Sequence, residues 1–155
     1  MKIIPDNICV ITYFYPTGEI HHTGTFVDGL RHGVAMCYYK NGKLDYLARY
    51  KKDKLEGTYY RFTDDGLYAY ILNFKNDKSH GVQIIFDPYG NYSSVNHYVD
   101  GLQHGQEIVY RLDGSIRYIN NRRNDVLHGD QLYFDSEGNV EKISHYIDGQ
   151  KIRTI

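Results

Sequence analysis

Apolar and polar positions along this chain repeat with a period of 24 residues. One aromatic column runs Phe14, Tyr38, Phe62, Phe86, Tyr110, Phe134, and another runs Phe26, Tyr50, Phe74, Tyr98, Arg122, Tyr146. Between them lies a largely apolar column, Thr23, Leu47, Ile71, Val95, Ile119, Ile143. Short apolar stretches bounded by turn residues predict strands, and no long 3.6-residue stripe predicts a helix. The glycines punctuate the same period at Gly18, Gly42, Gly66, Gly90, Gly114 and Gly138, and again from Gly33 to Gly129. A polar column, Asp28, Lys52, Asn76, Asp100, Asn124, Asp148, marks a second turn in every unit. Each unit therefore predicts one β-hairpin and a connecting turn, with repeats starting near residues 10, 34, 58, 82, 106 and 130.

Turn chemistry sets the expected register. In Tyr15-Pro16-Thr17-Gly18 and Asp87-Pro88-Tyr89-Gly90, proline suits the second position of a type I turn and glycine the left-handed position after it. This is the three-residue hairpin loop, which pairs Tyr39 with Lys43 and Tyr38 with Leu44. Continued without interruption, that register places Met36, Tyr38, Leu44, Tyr46, Ala48 and Tyr50 on one repeating face. The fold class predicted is all-β: six tandem hairpins in one repeat domain over 1–155, stacked into an elongated, twisted, single-layer antiparallel sheet. Residues 1–9 and 150–155 are read as caps. A lone hairpin cannot bury its apolar face, so stacking on neighbours supplies the stability.

Composition sharpens this picture. Seventeen Tyr and fifteen Gly suit many short strands and tight turns. A formal net charge of −1 argues against nucleic acid, whose binding begins with a basic excess. Cys9 and Cys37 make no disulfide framework, and no stretch reaches the roughly 20 apolar residues that span a bilayer. The start of the chain lacks the apolar run of a signal peptide, so a cytoplasmic location with reduced thiols is expected.

The pattern Tyr98-x-x-Gly101-x-x-His104-Gly105, followed by Tyr110 and Gly114, resembles the MORN repeat. It is more similar to the MORN-variant repeats of bacterial YwqK-type antitoxin proteins. The chain has no Trp, and it carries Ala35, Gln83, Glu107 and Gln131 where the standard unit has a second Gly. Glu56-Gly57 replaces His-Gly in one unit and Arg122 replaces an aromatic in another. The resemblance implies stacked hairpins and no intrinsic catalytic activity.

Candidate chemistry is sparse. His32, His80, His104 and His128 fall in one column, and strand spacing separates successive members by roughly 10 Å or more, too far to share a metal ion. They are expected to bond loop carbonyls. No catalytic residue, metal site or cofactor is predicted. Columns shared by all units serve the fold, whereas columns that vary are free to carry specificity. From these, Tyr15, Tyr39, Tyr59, Arg61, Arg111 and Tyr133 are the candidate partner-binding residues, because Tyr and Arg anchor many interfaces. The functional expectation is a non-catalytic module that binds a protein partner, an antitoxin or immunity-type inhibitor of a toxin or enzyme. The alternative is a scaffold docking on anionic membrane lipid through Lys51, Lys52 and Lys54. The molecule is expected as a monomer or an end-to-end dimer, its strand edges guarded by Pro5, Lys151 and Arg153.

Overall fold

The computed structural model describes residues 7–155. Pro5 and most of the expected N-terminal cap lie outside the described residues. Six hairpins follow one another: β1 (Ile8–Phe14) with β2 (Ile20–Val27), β3 (Leu30–Tyr38) with β4 (Leu44–Lys51), then, after the short β5 (Lys54–Leu55), β6 (Gly57–Phe62) with β7 (Tyr68–Lys75). After β8 (Lys78–Ser79) come β9 (Gly81–Phe86) with β10 (Tyr92–Val99), and β11 (Leu102–Tyr110) with β12 (Ile116–Arg123). The short β13 (Val126–Leu127) precedes β14 (Gly129–Phe134) with β15 (Val140–Ile147), and β16 (Gln150–Thr154) follows. The chain divides into two compact units, one ending at Lys78 and one running from Ser79 to Ile155, with three hairpins each. The first unit is an antiparallel sheet in the order β1-β2-β3-β4-β6-β7, and β5 pairs with β4. The second has the order β9-β10-β11-β12-β14-β15-β16, and β13 pairs with β12.

The hairpin loops have the expected form. Tyr39 N–H donates to Lys43 O at 2.8 Å and Gly42 N–H to Tyr39 O at 2.9 Å, with Gly42 at φ +79°. That left-handed position is what the glycine column supplies. Beyond the loop, the register departs from expectation. Tyr38 faces Leu44, but Cys37 faces Tyr46, so Asp45 is an extra residue. The same β-bulge recurs at His21, Ala69, Ser93, Arg117 and Glu141. Side chains alternate with period 2, so one extra residue exchanges the two faces from that point onward. Met36, Tyr38 and Leu44 therefore share a face with Leu47, while Tyr46, Ala48 and Tyr50 lie on the other with Cys37. The continuous repeating face expected from sequence is corrected accordingly.

Connections between hairpins are two-residue turns with both central residues left-handed, as type I′ geometry demands. All six members of the polar column have φ between +48° and +52°, and Asp53, Asp77 and Asp125 follow at +66° to +68°. Each turn is clasped by the preceding repeat. Asp53 N–H donates to Arg31 O at 2.9 Å, and Arg31 N–H donates back to Asp53 Oδ1 at 2.9 Å. Asp77 and Leu55, and Asp125 and Gln103, make the same reciprocal pair. The column that reads His-Gly completes the clasp: Asp100 N–H donates to His80 Nδ1 and Asp148 N–H to His128 Nδ1, each at 3.4 Å. These imidazoles accept from loop amides rather than bonding loop carbonyls. Glu56 does the same work, its Oε2 accepting from Asn76 N–H at 2.9 Å, which explains how one unit dispenses with histidine.

Lys52 alone in its column lacks a short polar side chain suited to the left-handed region. Lys52→Asn is expected to raise stability by about 0.5–1 kcal/mol, or about 1–4 °C in thermal unfolding, by relieving that strain. An unchanged or lower midpoint refutes the strain. The Arg31 backbone N–H, and then its guanidinium, hold the Asp53 carboxyl below the ordinary carboxylate range. A folded-state pKa below the unfolded one stabilises above about pH 4 and is lost as pH falls through the folded value. Acid unfolding of Asp53→Asn is accordingly expected to show a shallower pH dependence below about pH 4 than the parent.

Candidate functional site

Because of the bulge, one face of the first unit gathers three rows of side chains. The upper row holds Tyr13, His22, Cys37, Tyr46, Arg61 and Tyr70, each across a strand from the next. Below it run Ile11, Gly24, Ala35, Ala48, Tyr59 and Leu72. The lower row includes Phe26, Arg31, Tyr50 and Phe74. Where the middle row is smallest, at Gly24 and Ala35, the taller rows enclose a trough of about 200 Å³. Its walls are Tyr13, His22 and Tyr46 above, and Phe26, Arg31 and Tyr50 below. Tyr46 stacks on Tyr59 at 5.6 Å between ring centroids. Beyond that wall a shallower hollow of about 410 Å³ is lined by Tyr59, Arg61, Tyr70, Leu72, Phe74 and Leu55.

The trough is pre-organised. Tyr13 and His22 stack at 4.2 Å, and the Arg31 guanidinium lies 4.2 Å from the Tyr50 ring centroid. Asp53 holds Arg31 from behind, with Nε to Oδ1 at 3.1 Å. Burial, and then the neighbouring His21, lowers the His22 pKa, so its imidazole is neutral near pH 7. Burial raises the Tyr46 phenol and the Cys37 thiol, which keeps both uncharged. At the second hollow, Arg61 Nε lies 3.0 Å from Asp45 Oδ1. That carboxylate oxygen accepts no well-directed hydrogen bond, so the contact is an ion pair set by distance rather than by N–H alignment.

In the second unit the same middle row reads Gln83, Asn96, Glu107, Asn120, Gln131 and Ser144. Here polar side chains fill the floor and bond one another. Gln103 Nε2 donates to Asn96 Oδ1 at 2.8 Å, and Asn120 Nδ2 donates to Glu107 Oε2 at 2.9 Å. Arg122 Nε lies 3.3 Å from the same Glu107 oxygen, so the Arg that interrupts the aromatic column is paired with the acid that interrupts the floor. Gln131, wholly buried, accepts from Asn121 N–H at 3.0 Å and donates to Asn121 O at 3.1 Å. It patches the backbone where β12 and β14 part.

The residues singled out from sequence separate into three groups. Tyr59 and Arg61 line the second hollow. Tyr15, Tyr39 and Arg111 instead fasten their repeat to the next one. Tyr15 Oη donates to Tyr38 O at 2.7 Å, Tyr39 Oη to Phe62 O at 2.7 Å, and Arg111 Nη2 to Phe134 O. Where that column is shorter, at Thr63, Asp87 and Asp135, the side chain caps its own turn. Tyr133 packs beside Tyr118 at 6.0 Å, with the Lys142 ammonium 5.0 Å from its ring centroid. Lys51, Lys52 and Lys54 rim a hollow of about 250 Å³ that they share with Glu56 and Asn76. Sequence reasoning missed His22, Phe26, Arg31, Tyr46 and Tyr50 as a group. The signal was present in Leu44-Asp45-Tyr46-Leu47 and its equivalents, where apolar residues three apart share a face only if a residue bulges out.

Tyr39→Phe removes one hydroxyl and keeps the ring, so it is expected to cost about 1 kcal/mol of stability through the bond to Phe62 O. Thermal unfolding that leaves the midpoint unmoved contradicts the fastening role.

Residues 31–52 and 127–148 match the family model described as the MORN repeat variant. No curated protein matches the chain. The two matches fall on the β3–β4 and β14–β15 hairpins, and the 24-residue spacing carries the same geometry through the other four, so the architecture is one of MORN-type β-hairpin repeats.

Proposed function

We propose that the chain is a non-catalytic module that binds a protein partner. The observation that carries this reading is the aromatic trough of the first unit, a preformed recess on a rigid sheet face. A partner side chain that enters it loses freedom, while the host side chains are already held by stacking and by the Asp53 clasp. That keeps the ordering cost of association small. Tyr and Arg, which dominate the walls, are the side chains that anchor interfaces most often. The floor varies from unit to unit while every turn keeps a backbone bond to the repeat before it, so recognition can change without disturbing the fold.

The finer reading is an antitoxin or immunity-type inhibitor that acts in the cytoplasm by covering the working surface of a toxin or enzyme. Its support is the resemblance of the repeats to those of YwqK-type antitoxins. The alternative, docking on anionic membrane lipid, has three lysines around one hollow in its favour and Glu56 on the same rim against it.

Affinity purification of the tagged chain from its source cells is expected to recover one protein in stoichiometric amount. Tyr59→Ser combined with Tyr70→Ser is expected to weaken that capture about tenfold or more, since both rings line the second hollow beside the trough. Recovery of lipid and no protein, with flotation on acidic vesicles that fades as salt rises, contradicts the protein-binding reading in favour of the lysine rim.

A further inference from the structure

The trough of the first unit also constrains the chemistry of what enters it. Its volume, about 200 Å³, lies below the roughly 300–1,000 Å³ of small-molecule sites and matches one large side chain. Four of its walls are the rings of Tyr13, Phe26, Tyr46 and Tyr50, which favour stacked or edge-on contact with another ring. Such walls alone also suit a cation. Here one ring face is taken, because the Arg31 guanidinium already lies over Tyr50 at 4.2 Å. Arg31 is the one charged residue in the lining, since His22 is held neutral, and Asp53 pairs its guanidinium from outside that lining. Arg31 bonds Asp53 through Nε and Nη2, and among the described residues its Nη1 donates to no protein group.

We infer that the trough takes a single aromatic side chain of a protein partner, flanked in that partner's sequence by a carboxylate that Arg31 Nη1 receives. This rests on the protein-binding reading and names the partner's chemistry. Gly24 is the residue that makes room. Its φ is not left-handed, and a Cβ there meets Phe26 Cε2 at 3.5 Å and Ala35 Cβ at 3.8 Å, which is ordinary contact. The repeat has Ala48 and Leu72 at the equivalent positions, so the fold tolerates a side chain there and the absence of one at Gly24 is specific to the trough.

The test is an NMR titration of the full chain with three capped tripeptides: Asp-Phe-Asp, Ser-Phe-Ser and Lys-Phe-Lys. The acidic peptide is expected to bind about fivefold or more tighter than the basic one, shifting resonances of Tyr13, Tyr46 and Tyr50. Arg31→Gln is expected to abolish the preference of acidic over neutral peptide. Gly24→Leu is expected to weaken the acidic peptide about tenfold or more by filling the trough. Gly24→Ala, which makes only ordinary contacts, repeats the test at smaller amplitude if the larger variant does not fold. Equal binding of acidic and basic peptides, or full binding by a folded Gly24 variant, overturns the inference. A Gly24→Leu chain that still retains its co-purifying protein overturns the trough as the contact and leaves the protein-binding reading standing. A parent chain that binds the acidic peptide and retains no protein overturns that reading alone.

Discussion

The rest of this structure depends on the reciprocal clasp between the left-handed turn of one repeat and the backbone of the repeat before it. A single hairpin exposes too much apolar surface to be stable in water, and a single sheet layer has no second layer to cover it. Among the described residues few side chains are fully enclosed, and stability must come from each hairpin lying in fixed register on its neighbour. Asp53, Asp77 and Asp125 fix that register with two hydrogen bonds apiece, one from the turn amide and one to the turn carboxylate. Glu56 adds a third bond at the Asp77 turn, and where glycine takes the place of that aspartate, His80 and His128 accept from the turns at Asp100 and Asp148 instead. The most regular columns of the sequence, Asp/Asn/Lys at the turn and His-Gly before it, are thus the two halves of one contact.

With register held at the turns, the β-bulge decides which residues meet on a face. It brings Tyr46 and Tyr50 over to the side of Cys37, Ala35 and His22, and leaves Met36, Tyr38 and Leu44 with Leu47 on the other side. That second side becomes an uncharged band, in which Thr23, Met36, Leu47, Tyr60 and Ile71 follow one another across strands. The first side becomes the surface on which units differ. Small residues at Gly24 and Ala35 open a recess, Tyr59 and Leu72 partly fill the next, and amides with Glu107 close the row in the second unit.

The hairpins, their loop type and their period were legible in the sequence because Gly42, Pro16, Pro88 and the aromatic columns each report a local requirement of the backbone. The faces were not. A bulge leaves no glycine or proline behind, and Asp45, His21 and Arg117 look like ordinary outward-facing residues of a strand. Its trace lies in the spacing of apolar neighbours on either side, which is visible only once the pairing is known. Likewise, Tyr15, Tyr39 and Arg111 vary along their column for two reasons at once. Long members reach the next repeat and short members cap their own turn, and nothing in residue type alone separates that from surface drift. The histidine column was assigned to the fold from spacing, but His80 and His128 bond loop amide N–H groups and His104 the side-chain oxygen of Asn124, details fixed by the left-handed turn geometry.

The central claim is that the bulge at Asp45 and its equivalents inverts the faces and thereby builds the aromatic trough. Cross-strand nuclear Overhauser contacts within the β3–β4 hairpin test it most directly. The structure predicts contacts of Tyr46 with Cys37 and of Leu47 with Met36. Contacts of Tyr46 with Met36 and of Asp45 with Cys37 would mean an unbulged ladder, and the trough as described could not exist.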